Sequence, residues 1–350
     1  VKTFDVAIVG AGPAGAVAAR CLALSGHQVL LIDDTSHVLK VGESLPGSAY
    51  PLLFELGLLP WLHASQPLPC VGNVVSWGQD ALYCRDFMRE PYGAGWHLCR
   101  QAFDAALRNA AGDAGVTGCT QRFEQVQRAG NRWLLTLREE QVGARWVIDA
   151  SGRSACVARR LGGKRERDQR LIALYSRTQH VAGDQRTCIE AVKNGWWYSA
   201  ALPGDQRIAA LHLTQCDAQK VLKDRHGWLA QWDKTRYIRR HSGSGEWSPP
   251  HACEAGGSYL QQVAGEQWLA VGDAALAFDP LSSQGIFNAL YSAMRGAQTV
   301  QAALSGQHES TQQYTAQLLS IRRAYVRMLD IQYRREQRWA DQAFWQVRQQ

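Results

Sequence analysis

Asp5-Val-Ala-Ile-Val-Gly-Ala-Gly-Pro-Ala-Gly-Ala-Val-Ala-Ala-Arg-Cys-Leu22 decides the reading of the whole chain. The apolar run 6–9 stops at Gly10, and Gly10, Gly12 and Gly15 then fall where a buried strand turns tightly into a helix. Gly10 permits the turn, Gly12 lets backbone N–H groups approach a pyrophosphate, and Gly15 allows close packing of helix on sheet. The helix start adds the positive end of a dipole. A second apolar run, 28–32, ends in Asp33, roughly twenty residues on, where a carboxylate can accept both ribose hydroxyls of an adenosine. Strand, glycines, helix and terminal acid together read as a dinucleotide site in an α/β fold.

At 350 residues the chain is long enough for two interlocked units. No apolar run is long enough to span a membrane, and a strand pattern starts within a few residues of Val1, so neither a span nor an uncleaved signal peptide is expected. The 9 cysteines form no C-x-x-C pair and no cluster with histidine at zinc spacing. Reduced thiols in a cytoplasmic protein and no metal site are the expectation. The net charge of +7 is modest, and the arginine-rich stretches 159–170 and 322–338 read first as solvated faces. No nucleic-acid motif is present.

Past Asp33, the loop Lys40-Val-Gly-Glu-Ser44 can place backbone and hydroxyl donors of Gly42 and Ser44 beside a cofactor, and a short apolar helix follows, ending near Leu59-Pro60. Alternation over 70–92 reads as a first excursion into a second domain, and the chain returns at Gly95-Trp-His-Leu-Cys-Arg100. Arg100, at the start of the next helix, is placed to reach a pyrophosphate or ribose. A hairpin is expected around Gly130-Asn131. Trp146-Val-Ile-Asp-Ala-Ser-Gly-Arg153 is a buried strand breaking into a loop at the ligand-binding end of the sheet. Four further strands, with turns at Lys193-Asn-Gly195 and Pro203-Gly-Asp205, make an antiparallel sheet. In the last of them Ala209, Leu211 and Leu213 share one face, and His212 points to the other as a satisfied or solvated histidine.

The strand pattern Trp268-Leu-Ala-Val-Gly-Asp273 then brings a second contact to the first site. A cofactor bound at a single strand–helix unit does not need it, whereas FAD does. Asp273 can hold the ribityl chain, and the helix opening at Gly285-Ile286 can aim its dipole at the pyrimidine edge of the flavin, where negative charge accumulates on reduction. The residues after 309 read as helical, with a stripe of Ile321, Tyr325, Met328, Leu329 and Tyr333 packing on the body of the protein. The reading therefore divides the chain into a Rossmann-type FAD-binding domain (1–69, 97–163 and 264–305), an interleaved antiparallel-sheet substrate domain (70–96 and 164–263) and C-terminal helices (306–350).

Gly10-x-Gly-x-x-Gly15, Gly42-Glu-Ser44, Arg100, Asp149-Ala-Ser-Gly152 and Gly272-Asp273 with Pro280 and Gly285 resemble, in order and spacing, the FAD-dependent monooxygenases of the p-hydroxybenzoate hydroxylase fold. Within that superfamily the Gly-Glu-Ser loop and Gly195-Trp-Trp-Tyr198 resemble the branch of flavin-dependent halogenases, isoprenoid-lipid reductases and flavoproteins that oxidise a tryptophan of a partner protein during cysteine tryptophylquinone biogenesis. Lys40-Val-Gly-Glu-Ser-Leu-Pro46, Trp77-Gly78 and Tyr92-Gly-x-Gly-Trp-His97 are similar to the last group. The resemblance extends the cofactor-binding set to Pro13, Ala14, Asp34, Lys40, Glu43, Val126, Ala150, Gly152, Pro280 and Gln284. It implies a reduced FAD that reacts with O2 to a C4a-hydroperoxide, which hydroxylates an electron-rich aromatic ring. Electrons would come from NAD(P)H or from a separate reductase. Glu43, His97 and Tyr198 are the candidate catalytic residues, each with a structural alternative.

The departures narrow the expectation. The halogenase motif W-x-W-x-I-P is broken in Trp196-Trp-Tyr-Ser-Ala-Ala-Leu-Pro203, and no lysine to capture hypohalous acid stands between Lys40 and Lys164. The expected activity is hydroxylation of an indole, that of a tryptophan residue in a partner polypeptide. A hydroxylase of a free small aromatic compound, a reductase of a lipid double bond and a flavin-binding docking protein are the alternatives.

Overall fold

In the computed structural model, residues 1–34, 41–179, 184–242, 246–307 and 309–349 are described. The opening stretch folds as the strand Lys2–Val9 and the helix Pro13–Leu24. Val6, Ala7 and Ile8 are wholly buried, and each large apolar side chain removed from water there contributes about 1.5–3 kcal/mol. Lys2–Val9 lies in the centre of a sheet, parallel to Val29–Ile32 on one side and to Gln141–Asp149 on the other, with Thr117–Cys119 and Trp268–Ala270 beyond them. The first helix packs between Gly285–Leu304 and Arg100–Asp113. The hairpin expected at Gly130-Asn131 is present as Phe123–Ala129 and Arg132–Leu137, and it continues this sheet antiparallel to Gln141–Asp149.

A second sheet has, among the described residues, the order His251–Glu254, Ile172–Gln179, Gln206–Leu213, Gly195–Leu202, Thr187–Val192, Gly72–Ser76 and Tyr83–Asp86. All neighbours are antiparallel except Thr187–Val192 with Gly72–Ser76. Its alternation sends Trp197, Ala209, Leu211 and Leu213 to one face, where they meet Trp228, Trp232 and Ile238. The other face carries Trp196, Tyr198, Ala200, Ile208 and Ala210. Both faces are covered, which is why these strands read as nearly continuous apolar runs. His212 lies on that second face, buried, its ring stacked on Trp196 at 3.6 Å and Nδ1 3.3 Å from the Trp196 carbonyl oxygen. It is a satisfied core histidine.

Three expectations need correction. Leu59-Pro60 begins a helix instead of ending one: Tyr50–Glu55 is followed by Leu59–Ala64, with Pro60 in the first turn, where its missing N–H has no helical acceptor to lose. In the C-terminal helix Ser310–Arg334, Tyr325 and Tyr333 are buried, whereas Met328 is 56% exposed and leaves the stripe. In the arginine-rich stretches Arg159, Arg160, Arg167, Arg170, Arg323, Arg327, Arg334 and Arg335 are exposed as expected, but Arg165, Arg322 and Arg338 are not. Arg165 donates to the Asp273 and Ala274 carbonyls, Arg322 pairs with Asp168 at 2.8 Å, and Arg338 pairs with Glu336 and Asp80.

Candidate functional site

The glycine turn is built as its spacing demands. Gly10 has φ of 103°, and a side chain there would collide with the Ala150 backbone, just past the end of Gln141–Asp149. Gly15 lies against the Gly10 carbonyl, so no Cβ fits. At Gly12, by contrast, an added Cβ would meet nothing within 4 Å. The helix that follows, with Pro13 and Ala14 in its first turn, has no side-chain cap and no acidic residue there. Its N–H groups and dipole are left for an anion from outside the chain.

The same arrangement recurs at Gly285–Leu304, whose N-terminus at Gln284 also lacks a side-chain cap and a first-turn acid. Gly285 faces open space, Ile286 is buried, and Pro280 begins the short turn Pro280–Ser282 before it. Two open, uncapped helix starts suit a cofactor with a pyrophosphate at one point and an electron-accepting ring edge at another. FAD fits both. Asp33 follows Val29–Ile32 directly, with its backbone tied to Cys119, and exposed Asp34 comes next. The Asp273 carboxylate is 36% exposed and 3.5 Å from Arg153 Nε. Arg153 also braces the carbonyls of Ala255, Gly256 and Phe278. Gly152 begins the turn after Asp149, whose buried carboxylate accepts from Ser151, Val157 and Ala158 and so serves the backbone. Val126 is buried within the hairpin, and Lys40 is outside the described residues.

Glu43, His97 and Tyr198 converge where the second sheet meets a small one. Ser44 pairs with His97 in that small sheet, and the Leu98 N–H donates to the Glu43 carbonyl at 2.7 Å. The Glu43 carboxylate is buried, takes the Gly42 N–H on Oε2 at 3.0 Å, and has its Oε1 3.5 Å from Arg177 with no hydrogen bond. Burial raises its pKa against the pull of Arg177 and Arg100. The Tyr198 hydroxyl is buried without a hydrogen-bond partner, and burial, with Glu43 nearby, keeps it protonated far above the ordinary tyrosine range. Tyr175, Ala210 and Val41 pack around it in an apolar wall. His97 Nε2 lies 2.9 Å from the Thr187 hydroxyl, and burial lowers its pKa to about 4. Arg100 is bound inside the chain, to Asp104 at 3.0 and 3.1 Å and to the Val41 carbonyl at 2.9 Å, so it braces the Gly42–Glu43 loop.

The sequence reading missed Arg177, Thr187 and Arg153. Arg153 was legible, since it follows Gly152 directly. Arg177 and Thr187 carried no local signal, because they reach the site only through strand register. A separate crevice of about 280 Å³ at the Lys193-Asn194 turn, lined by Trp197, Tyr237 and Trp339, holds none of the anticipated site residues. Among the described residues there is no cluster able to hold a metal and no helix long and apolar enough to cross a membrane.

A Rossmann-type sheet joined to an antiparallel sheet, with two uncapped helix starts, is the architecture of a flavin-dependent oxidoreductase. The comparisons with known proteins agree. The profile of the tryptophan halogenase family matches residues 85–350, and that of an NAD(P)-binding Rossmann-like domain matches 8–41. The chain belongs to the tryptophan halogenase family, and that membership implies FAD binding. It is 29% identical to "Putative FAD-dependent oxidoreductase LodB" of Marinomonas mediterranea, over 99% of this chain and 97% of the relative. It is 27% identical to digeranylgeranylglycerophospholipid reductase 1 of Methanothermobacter thermautotrophicus, over 87% and 79%. Among solved structures, the flavin-dependent halogenase CmlS superposes with a TM-score of 0.89 at 24% identity, covering 100% of this chain and 68% of that one. The peptidyl tryptophan dihydroxylase QhpG superposes with 0.78 at 24% identity, covering 99% and 79%. At that identity the two structures establish the shared fold.

Proposed function

We propose that this chain hydroxylates the indole ring of a tryptophan residue in a partner polypeptide during quinone-cofactor biogenesis, using FAD, O2 and electrons from NAD(P)H or a separate reductase. The observation that carries the reading is the buried wall holding Glu43, Tyr198 and Tyr175: it offers a carboxyl, an unpartnered phenol and apolar surface, and none of the residues described on it is a lysine. Support comes from the neighbour QhpG, a peptidyl tryptophan dihydroxylase essential for tryptophylquinone cofactor biogenesis.

In this reading Gly10, Gly12, Gly15 and the start of Pro13–Leu24 hold the pyrophosphate, Asp33 the adenosine ribose, Asp273 the ribityl chain and Gly285-Ile286 the pyrimidine edge. The bound cofactor supplies activation of O2 to an electrophilic oxygen. Tyr175, Ala210 and Ile208 would exclude water from the substrate ring with their apolar surface. Glu43 holds a proton more readily than an exposed carboxylate, since burial outweighs Arg177. Tyr198, kept neutral by burial and close to Thr187, would orient a substrate ring through its hydroxyl. His97 stays neutral and ties the small sheet to Thr187.

The test is to give the reduced, FAD-loaded protein O2 and a tryptophan-containing quinone-cofactor precursor polypeptide, with chloride and bromide present. A mass gain of one or two oxygen atoms on a single tryptophan is expected. A halogenated indole would overturn the reading of the lysine-free wall. Hydroxylation confined to a free aromatic compound would replace the polypeptide substrate with a small one. Saturation of an isoprenoid double bond without O2 uptake would replace the reaction class.

A further inference from the structure

The C-terminal helix Ser310–Arg334 packs against Gly285–Leu304 and the turn Pro280–Ser282 before it. The loop before Gly285–Leu304 begins at Asp279, 5% exposed, whose Oδ1 accepts from Leu281 N–H at 2.9 Å and so shapes the turn Pro280–Ser282. Two tyrosines of Ser310–Arg334 hold this residue. The Asp279 N–H donates to the Tyr325 hydroxyl at 2.8 Å, and the Tyr333 hydroxyl donates to Asp279 Oδ2 at 3.0 Å. Phe278 stacks on Tyr325 with ring centres 4.3 Å apart.

Tyr333 has a second partner, in the substrate-side sheet. Trp196 Nε1 lies 3.2 Å from its hydroxyl, and an indole N–H can only donate. Tyr333 therefore accepts from Trp196 and donates its O–H to Asp279, which sets the direction of the chain Trp196, Tyr333, Asp279. The ring of Tyr333 packs independently against Trp77 and Trp345, at 5.9 and 6.2 Å between centres. Hydroxyl and ring are thus separable in function.

We infer that Tyr333 is a positioning residue: through Asp279 it sets the loop that aims the open start of Gly285–Leu304 at the flavin, and it couples that loop to Trp196 on the substrate-side sheet. The inference rests on the reading that Gly285 meets the flavin ring. Loosening Asp279 withdraws a positive dipole end from a ring edge that becomes negative on reduction, so the reduced cofactor loses stabilisation.

The experiment compares the full-length wild type with Tyr333→Phe, Tyr325→Phe, Trp196→Phe and Gly285→Val. The readouts are the FAD dissociation constant of the apoprotein, the reduction potential of the bound flavin, and the thermal midpoint of the apoprotein. Tyr333→Phe is expected to lower the potential and to weaken FAD binding on the order of threefold to tenfold, with the apoprotein midpoint lowered by only a few degrees for the partners left at Asp279 and Trp196. Trp196→Phe should shift the potential in the same direction by less. Should Tyr333→Phe fail to fold, Tyr325→Phe, which cuts the other tie to Asp279, carries the test with the same expectation. If Gly285→Val changes the potential while neither tyrosine variant does, the inference is overturned and the flavin reading survives. If Gly285→Val also leaves it unchanged, the reading of Gly285 falls, and this inference with it.

Discussion

The glycine turn and the wall around Tyr198 are the two proposed sites, and they are made by different means. At the turn, function lies in backbone: a positive φ at Gly10, no room for a side chain at Gly15, and free N–H groups at the start of Pro13–Leu24. Everything needed sits within one short stretch. At the wall, the proposed function lies in side chains delivered by the Gly42–Glu43 loop, the small sheet and four strands of the larger one. The contrast teaches that a backbone site is written locally, whereas a side-chain site is written by register across distant segments.

Breaking the backbone site should have the largest effect. Gly10→Val must place an L side chain at φ of 103° and against the Ala150 backbone, so no flavin-loaded protein should form, as read by visible absorbance after reconstitution with FAD. Next comes Trp345→Ala. Trp345 is 0% exposed, packs edge-on to Trp77 at 5.3 Å and donates to the Val192 carbonyl, so its loss should cost about 3–5 kcal/mol in denaturant unfolding. An effect below about 1 kcal/mol would show that the C-terminal cover is dispensable to the sheet.

The wall region should also show its burial in pH. His97 and His212 have pKa values lowered to about 4 and about 3, so the unfolded chain binds more protons than the native one below the ordinary histidine pKa. Stability attributable to their burial is present above that value and is lost as pH falls from about 6.5 toward 4. Glu43, with its pKa raised, acts in the opposite sense, so the sharp comparison is between variants. His212→Gln should flatten the decline by about 2–4 kcal/mol between pH 7 and pH 4, measured by urea unfolding. An unchanged slope would mean that His212 titrates normally. The smallest effect returns to the first region. Asp33→Ala should weaken FAD binding by about 1.5–3 kcal/mol, tenfold or more, through loss of charged hydrogen bonds to ribose. Unchanged affinity would place the adenosine elsewhere.

Much of the architecture was legible because periodicity and turn chemistry are local. The Gly130-Asn131 hairpin, the helix at Arg100 and the strands on either side of Lys193-Asn194 and Pro203-Gly-Asp205 all stand where their patterns put them. Met328 did not, because a helical stripe specifies a face to within about one residue's rotation and Tyr325 and Tyr333 set the angle. Arg165, Arg322 and Arg338 left the solvated face for a related reason. Composition counts charges, but the ties of Arg165 to Asp273 and of Arg322 to Asp168 depend on where the chain returns.

By itself the sequence determined a dinucleotide fold and the helix starts after Gly12 and at Gly285, because each depends on neighbours a few positions away, and the family resemblance named Glu43, His97 and Tyr198 as candidate site residues. Only the tertiary structure decided that Arg177 faces Glu43, that Thr187 meets Nε2 of His97, and that Tyr333 joins Trp196 to Asp279. Those partners are far apart along the chain. Strand register and the packing of the C-terminal helix bring them together, and neither is encoded in any local pattern of residue types.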